Sequence, residues 1–270
     1  MGHRVSNTLT PDNAGQYIVS IRLRPGGLSF AGIHPDEKKR FFCEDIILDR
    51  KKTYVQALKE AFFSHAFFSY SFKHVFVLCV NRRFTVVPAN VFAEKQKEEL
   101  MSFTFSTSGY RTLYEPADDL EAKVVFGVQS DVYEFCARSL LRPQYVHAAT
   151  RLLTLWRKQS LTHLRRQLYV ALHEGIMYAA CFDKGVLCFV NSFNYEDTAD
   201  ILYYTLYIWK QLGMEQLHDV LHLAADTEMY EKLSAELKIY LSHIQAVAPP
   251  WPDMPAGVPP DVMALFACES

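Results

Sequence analysis

No run in this 270-residue chain approaches the ~18 consecutive apolar residues of a membrane-crossing helix, and its start, MGHRVSNTLTPDNAG, lacks the apolar core of a secretory signal. These two absences predict a cytoplasmic protein with no membrane insertion. Charge of one sign is missing as well. The 28 Lys and Arg balance 30 Asp and Glu to a formal net charge of −2, so no long-range field draws polyanions, and nucleic acid would need a local patch. Paired cysteines are absent: Cys43, Cys79, Cys136, Cys181, Cys188 and Cys268 form no C-x-x-C and sit mostly in apolar segments, as reduced core residues do. G-x-S-x-G, P-loop and G-x-G-x-x-G motifs are also absent, which removes the sequence grounds for a hydrolase elbow, a Walker-type site or a Rossmann site.

What the chain does hold is a pattern used twice: strand, tight turn, strand, strand, amphipathic helix, strand. The copies begin at Tyr17 and Leu168. In the first, YIVSIRLRPGGLSFAGI, FFCEDIIL, the helical YVQALKEAFFSHAFF and HVFVLCV follow one another. In the second, QLYVALHEGIMYAACF, GVLCFVNSF, the helical DTADILYYTLYIWKQL and LHDVLHLAA do. With half of its residues apolar, the chain can bury two cores of about 120 residues each. The repeat predicts two similar α/β lobes with a cleft between them.

Residues 1–14 read as a loose polar arm. The first two strands turn at Arg24-Pro25-Gly26-Gly27, and the third is Phe41 to Leu48. A helix from Tyr54 to His65 and a strand Val75 to Val80 come next. A hairpin at Asn81-Arg82-Arg83, a polar helix over about Ala89 to Met101 and a loop around Gly109 and Pro116 complete the first lobe. Lys123 to Val128 reads as a strand, and Asp131 to Leu141 and Tyr145 to Gln159 as helices separated by Pro143. The second copy has a tight turn at Asp183-Lys184-Gly185, a helix from Asp197 and another from Thr227 towards Leu241. The expected lobes are residues 15–120 and 121–248. Residues 249–270 hold six of the 12 prolines and read as an extended tail, with a short helix after Pro260 and with Trp251 and Met254 set to dock on the protein's own body.

This order of elements resembles the actin-like ATPase fold, in which two ribonuclease H-like lobes clasp a nucleotide. More narrowly, with aromatic-rich helices such as ALKEAFFSHAFF, the chain is similar to an uncharacterised family from Bacteroidetes with that fold. The resemblance spans Tyr17 to Val247. It implies an α/β protein of two ribonuclease H-like lobes, each a mixed five-stranded sheet with flanking helices, plus the Pro-rich C-terminal tail.

The same resemblance directs attention to the hairpins, because active members place an Asp and glycines there to hold magnesium and wrap phosphates. Here the first-lobe segment reads Ile21-Arg22-Leu23-Arg24, with cations where a carboxylate is implied. The second reads Ala171-Leu172-His173-Glu174-Gly175, and the implied adenosine-side glycine turn reads Ala224-Ala225-Asp226. Side chains at these places block backbone approach, and Asp226 would repel phosphate. The cleft candidates are therefore Arg22, Arg24, His173, Glu174 and Asp226, with no catalytic residue, no metal ligand and no cofactor expected, and with ATP and magnesium as the disfavoured alternative. A ribonuclease H-type nuclease would need an acid on the first strand, and Tyr17 to Leu23 has none.

Other constellations have plainer readings. His218 and His222 would share a helix face as metal ligands, but the segment reads as a strand. Asp197 and Asp200 suit a helix start better than a carboxylate pair. Arg157, Lys158, His163, Arg165 and Arg166 form the densest basic stretch, open to nucleic acid or an acidic partner but more simply a solvated connection. The run Phe62, Phe63, Phe67, Phe68, Tyr70 and Phe72 is too dense for one helix face. These features predict a non-catalytic scaffold that binds a protein partner. The alternatives are a nucleotide or anion sensor using Arg22 or Arg24, and a nucleic-acid accessory factor; the sequence leaves the oligomeric state open.

Overall fold

Pro25 and Gly26 turn the chain between β1 (Ile18–Arg24) and β2 (Gly27–Ile33), which pair antiparallel with Arg24 opposite Gly27. In the computed structural model, which describes residues 9–37, 40–251 and 257–269, β3 (Phe41–Ile47) extends the meander on the far side of β2. A capping box then opens α1 (Tyr54–Ser64): Gln56 N donates to Thr53 Oγ1, and Thr53 N donates to Gln56 Oε1. The helix buries Ala57, Leu58 and Ala61 and leads to β4 (His74–Cys79), parallel to β1.

The dense aromatic run resolves into two elements rather than one helix face. α1 ends at Ser64, and Ala66–Ser69 make a separate 3-10 turn. The ring of Phe67 stacks on Phe30 at 4.5 Å, and Phe62 stacks on Phe68 at 4.2 Å. Phe63 alone of this group points outward, 90% exposed.

β5 (Phe84–Pro88), α2 (Lys97–Ser102), β6 (Tyr110–Ala117) and β7 (Ala122–Gln129) build a feature the repeat did not announce. Their strands form a separate antiparallel sheet, β5-β7-β6, and α2 packs Met101 against Val87 and Val125. The turn at Asn81 to Arg83 is thus no hairpin, since β4 and β5 lie in different sheets; Asn81 Nδ2 donates instead to Gly127 O. The segment expected to loop around Pro116 is β6, whose edge position tolerates a proline. The polar helix expected from Ala89 shrinks to a 3-10 turn, Glu94–Gln96, and α2.

α3 (Ser130–Ser139) packs beside α1, and β8 (Gln144–His147) joins β4 in parallel. The helix expected from Tyr145 therefore starts only at α4 (Ala148–Ser160), because pairing with β4 overrides local helix propensity just after Pro143. The first sheet reads β3-β2-β1-β4-β8. Its inner strands are buried along nearly their whole length, as expected of a sheet covered on both faces. Of the N-terminal arm, residues 1–8 lie outside the described residues, while Leu9 is buried and Ala14–Gln16 form a 3-10 turn.

The chain divides into two compact units between Thr150 and Arg151. The division falls later than residue 120, because β6 and β7 pair across that point and β8 belongs to the first sheet. The second unit contains β9 (Arg166–His173), β10 (Ile176–Asp183) and β11 (Val186–Asn194) as a meander. α5 (Thr198–Gln211) follows, then β12 (Val220–Ala224) parallel to β9, α6 (Thr227–Leu237) and β13 (Ile244–Ala246). Its sheet reads β11-β10-β9-β12-β13, the same pattern of three antiparallel strands continued by two parallel ones. Leu168, Val170, Met177 and Ala179 of the sheet meet Ile201 and Ile208 of α5 and Leu233 and Leu237 of α6 in one core.

The proline-rich segment is not extended throughout. α7 (Pro260–Cys268) packs within the second unit and buries Val262, Ala264, Leu265 and Phe266. Met254 lies outside the described residues, and Trp251 is half-buried. No helix among the described residues is long and apolar enough to cross a membrane.

Candidate functional site

In the first unit, Arg22 lies within β1 opposite Ser29 of β2 and is only 4% exposed. Arg24, at the end of the same strand, places Nη2 3.6 Å from Asp45 Oδ1 on β3, and Ser29 Oγ donates to that same oxygen. The hairpin tip is closed from above by α1: Tyr54 donates its hydroxyl to Gly27 O at 3.0 Å, and burial raises that phenol well above its ordinary pKa. A Cβ on Gly27 would stand 2.8 Å from Ile46 O, so the glycine serves close packing of the meander.

In the second unit, Glu174 and Gly175 form the two-residue turn between β9 and β10, with φ of 39° and 83°. Two positive values in succession define a type I′ turn, for which glycine suits the second place and Glu is an unusual first residue. His173, just before the turn, is buried, and its Nδ1 lies 3.7 Å from Asp261 Oδ1 on α7. The sequence reading missed Asp261. The available signal was Pro260 followed by an acid, the composition of a helix's first turn.

Asp226 caps α6: its Oδ1 accepts from Met229 N at 2.8 Å. β12 runs parallel to β9 with Ala224 level with Ala171, so Asp226 comes to the end of the sheet that carries His173 and Glu174. Tyr195 records that convergence. Its pKa is raised by burial first and then by the charges of both Asp226 and Glu174, against a hydrogen bond to Gly175 that lowers it. The structure thus brings His173, Glu174 and Asp226 to one sheet end of the second unit, and Arg22 and Arg24 to one hairpin of the first.

The remaining constellations separate. His222 lies within β12 and His218 in the preceding turn, where it sits 3.9 Å from Glu215. Asp197 accepts from Ala199 N and Asp200 N as the cap of α5. Within the basic stretch, Arg165 donates to His218 O, and Arg166 donates to Asp183 and to Leu212 O.

The sequence matches the family described as "Protein of unknown function (DUF3822)" over residues 6–244. The chain belongs to that family. A solved structure from Bacteroides thetaiotaomicron VPI-5482, a protein with an actin-like ATPase fold and unknown function, is similar to this DUF3822 chain at 26% identity and a TM-score of 0.85, covering 96% of this chain and 99% of the other. The PilM-PilN type IV pilus biogenesis complex contains a chain similar at 10% identity and a TM-score of 0.60, covering 93% of this chain and 98% of the other. The curated proteins give no match. This DUF3822 chain therefore has the actin-like ATPase fold, with mixed sheets flanked by helices.

Proposed function

We propose that this chain is a non-catalytic, actin-like scaffold that binds a protein partner, its two five-stranded sheets being duplicate ribonuclease H-like lobes. The observation that carries this reading is the register of β9 and β12, which brings Glu174 and Asp226 to one sheet end of the second unit. Two carboxylates there make the surroundings hostile to phosphate, and Asp226 also takes up an N–H at the start of α6 that would otherwise be open to an anion. At the first hairpin, Arg22 and Arg24 stand where the fold's ATPases would carry a metal-holding carboxylate, and Arg24 is turned to Asp45 within its own sheet. A protein-binding use of the fold is supported by the PilM-PilN structure, a complex of two proteins.

Calorimetric titration with ATP and ADP, with and without magnesium, tests the reading, backed by thermal shift under the same conditions. The expected result is no heat of binding and no shift in unfolding temperature. Magnesium-dependent binding with micromolar affinity overturns it.

A further inference from the structure

Among the described residues, thirteen large apolar side chains are exposed, and six of them gather at one end of the second unit. The strand register puts them there. Asp183 of β10 pairs with Arg166 of β9, β12 starts level with Gln167, and β13 starts level with Leu221. Four connections therefore meet at the end where β9 begins: residues 161–165, the Lys184-Gly185 turn, residues 212–219 and residues 238–243. His173, Glu174 and Asp226 lie at the opposite end of the sheet. Leu161, Leu164, Val186, Leu217, Ile239 and Tyr240 stand along these connections, between 51% and 87% exposed. Five strands side by side make the row roughly 20 Å wide.

The connections are tied to one another. Arg165 Nη1 donates to His218 O at 3.2 Å, His243 Nε2 lies 3.1 Å from Leu217 O, and Ser242 N donates to Gln216 O. A Cβ on Gly185 would overlap Leu161, so the 161–165 loop rests on the turn between β10 and β11. Exposed cations accompany the apolar row: Arg165, Lys184 and Lys238. The carboxylates beside them are engaged. Asp183 faces Arg166 at 3.3 Å, buried Asp219 accepts from Arg166 N and Glu215 N, and Glu215 sits 3.9 Å from His218. A chain with a formal net charge of −2 thus sets cations among apolar side chains at this end.

We propose that this end of the second unit is a peripheral membrane surface, occupied by an anionic lipid bilayer. Acidic headgroups meet the three cations, the leucines and Ile239 enter the boundary of the acyl chains, and Tyr240 spans the interface with an apolar ring and a polar tip. Side chains raised on separate turns suit a fluid layer, which needs no matching groove. A second copy of the chain is the poorer occupant, because the patch would then meet its own positive charge. The contact is adsorption: no helix among the described residues can cross the bilayer. The inference is independent of the scaffold reading, since a protein partner can bind with or without the membrane.

Sedimentation of the full chain with vesicles of phosphatidylcholine, alone or mixed with phosphatidylglycerol, is the test. Binding to the mixed vesicles is expected, with little to phosphatidylcholine alone, and it should weaken as salt rises. Leu164→Ser combined with Leu217→Ser should weaken it at least roughly tenfold with the melting temperature retained, since both side chains are already exposed. Lys184→Asn combined with Lys238→Gln should also weaken it roughly tenfold; asparagine tolerates the φ of 51° at residue 184. Phe63→Ser, at an exposed position on α1 of the first unit, should leave binding unchanged. No binding to either vesicle overturns the proposal and leaves the patch to an acidic protein segment. Binding that the serine pair leaves intact, or that Phe63→Ser reduces as much, overturns it equally.

Discussion

Asp261 Oδ1 lies 3.7 Å from His173 Nδ1, and both side chains are buried. One residue belongs to the last helix and the other to the end of β9, so the pair fastens the C-terminal segment to the second sheet. Removing one member of a buried pair typically costs about 3–5 kcal/mol. Asp261→Ala is expected to destabilise strongly in urea unfolding. His173→Gln and the double variant complete a cycle whose coupling should lie at about 1–3 kcal/mol. Simple additivity would show that the two do not interact.

Gly32 faces the Phe42 ring across β2 and β3, and a Cβ at Gly32 would overlap that ring. Phe42 is fully buried and itself packs against Phe30 at 5.3 Å, so it has nowhere to retreat. Gly32→Ala should therefore destabilise by about 1–3 kcal/mol as an overpacking change, although alanine suits a strand better than glycine. Pairing it with Phe42→Leu should recover part of the loss. No effect of Gly32→Ala on the denaturation midpoint would show that the ring has room.

Asp226 is expected to act as a cap before anything else. Asp226→Ala removes the acceptor for Met229 N and should cost about 1 kcal/mol, whereas Asp226→Asn keeps a good capping group and should stay close to the parent. Thermal unfolding of the two variants checks this. Equal losses in both would show that the carboxylate charge, not the cap, stabilises the start of α6.

The sequence made the meanders legible because tight turns and alternating apolar strands are local features. Pro25-Gly26 and Lys184-Gly185 mark their turns by composition, and Asp197 and Asp226 mark helix starts. The three-stranded sheet escaped because Pro116 and Gly109 read as breakers; β6 exists only through pairing with β7. Tyr145 to His147 was misjudged for a similar reason, since nothing within four residues announces a parallel partner at β4. At the candidate site, each of His173, Glu174 and Asp226 was visible singly. That β9 and β12 bring them to one sheet end depends on parallel register, and the contribution of Asp261 depends on where α7 packs.

His222 carries the clearest pH dependence. It is 6% exposed, its ring lies flat on Tyr169 at 4.4 Å, and Tyr169 in turn stacks on Trp156 at 5.4 Å. Burial, and then the charge of His163 at its edge, lower its pKa from 6.5 to about 4. A histidine depressed in this way stabilises the fold in full above the unfolded value near 6.5, where both states are neutral. As pH falls from there towards 4, the unfolded chain takes up a proton that the folded one refuses, and stability is lost. At ~1.4 kcal/mol per pKa unit the loss amounts to roughly 3 kcal/mol. His222→Phe keeps a flat ring on Tyr169 and removes the titration, so its stability should fall less steeply between pH 6.5 and 4 than that of the parent. Urea unfolding at a series of pH values measures the difference, in which carboxylate titrations common to both proteins cancel. Parallel curves would show that His222 accepts its proton as readily in the folded protein as in the unfolded chain.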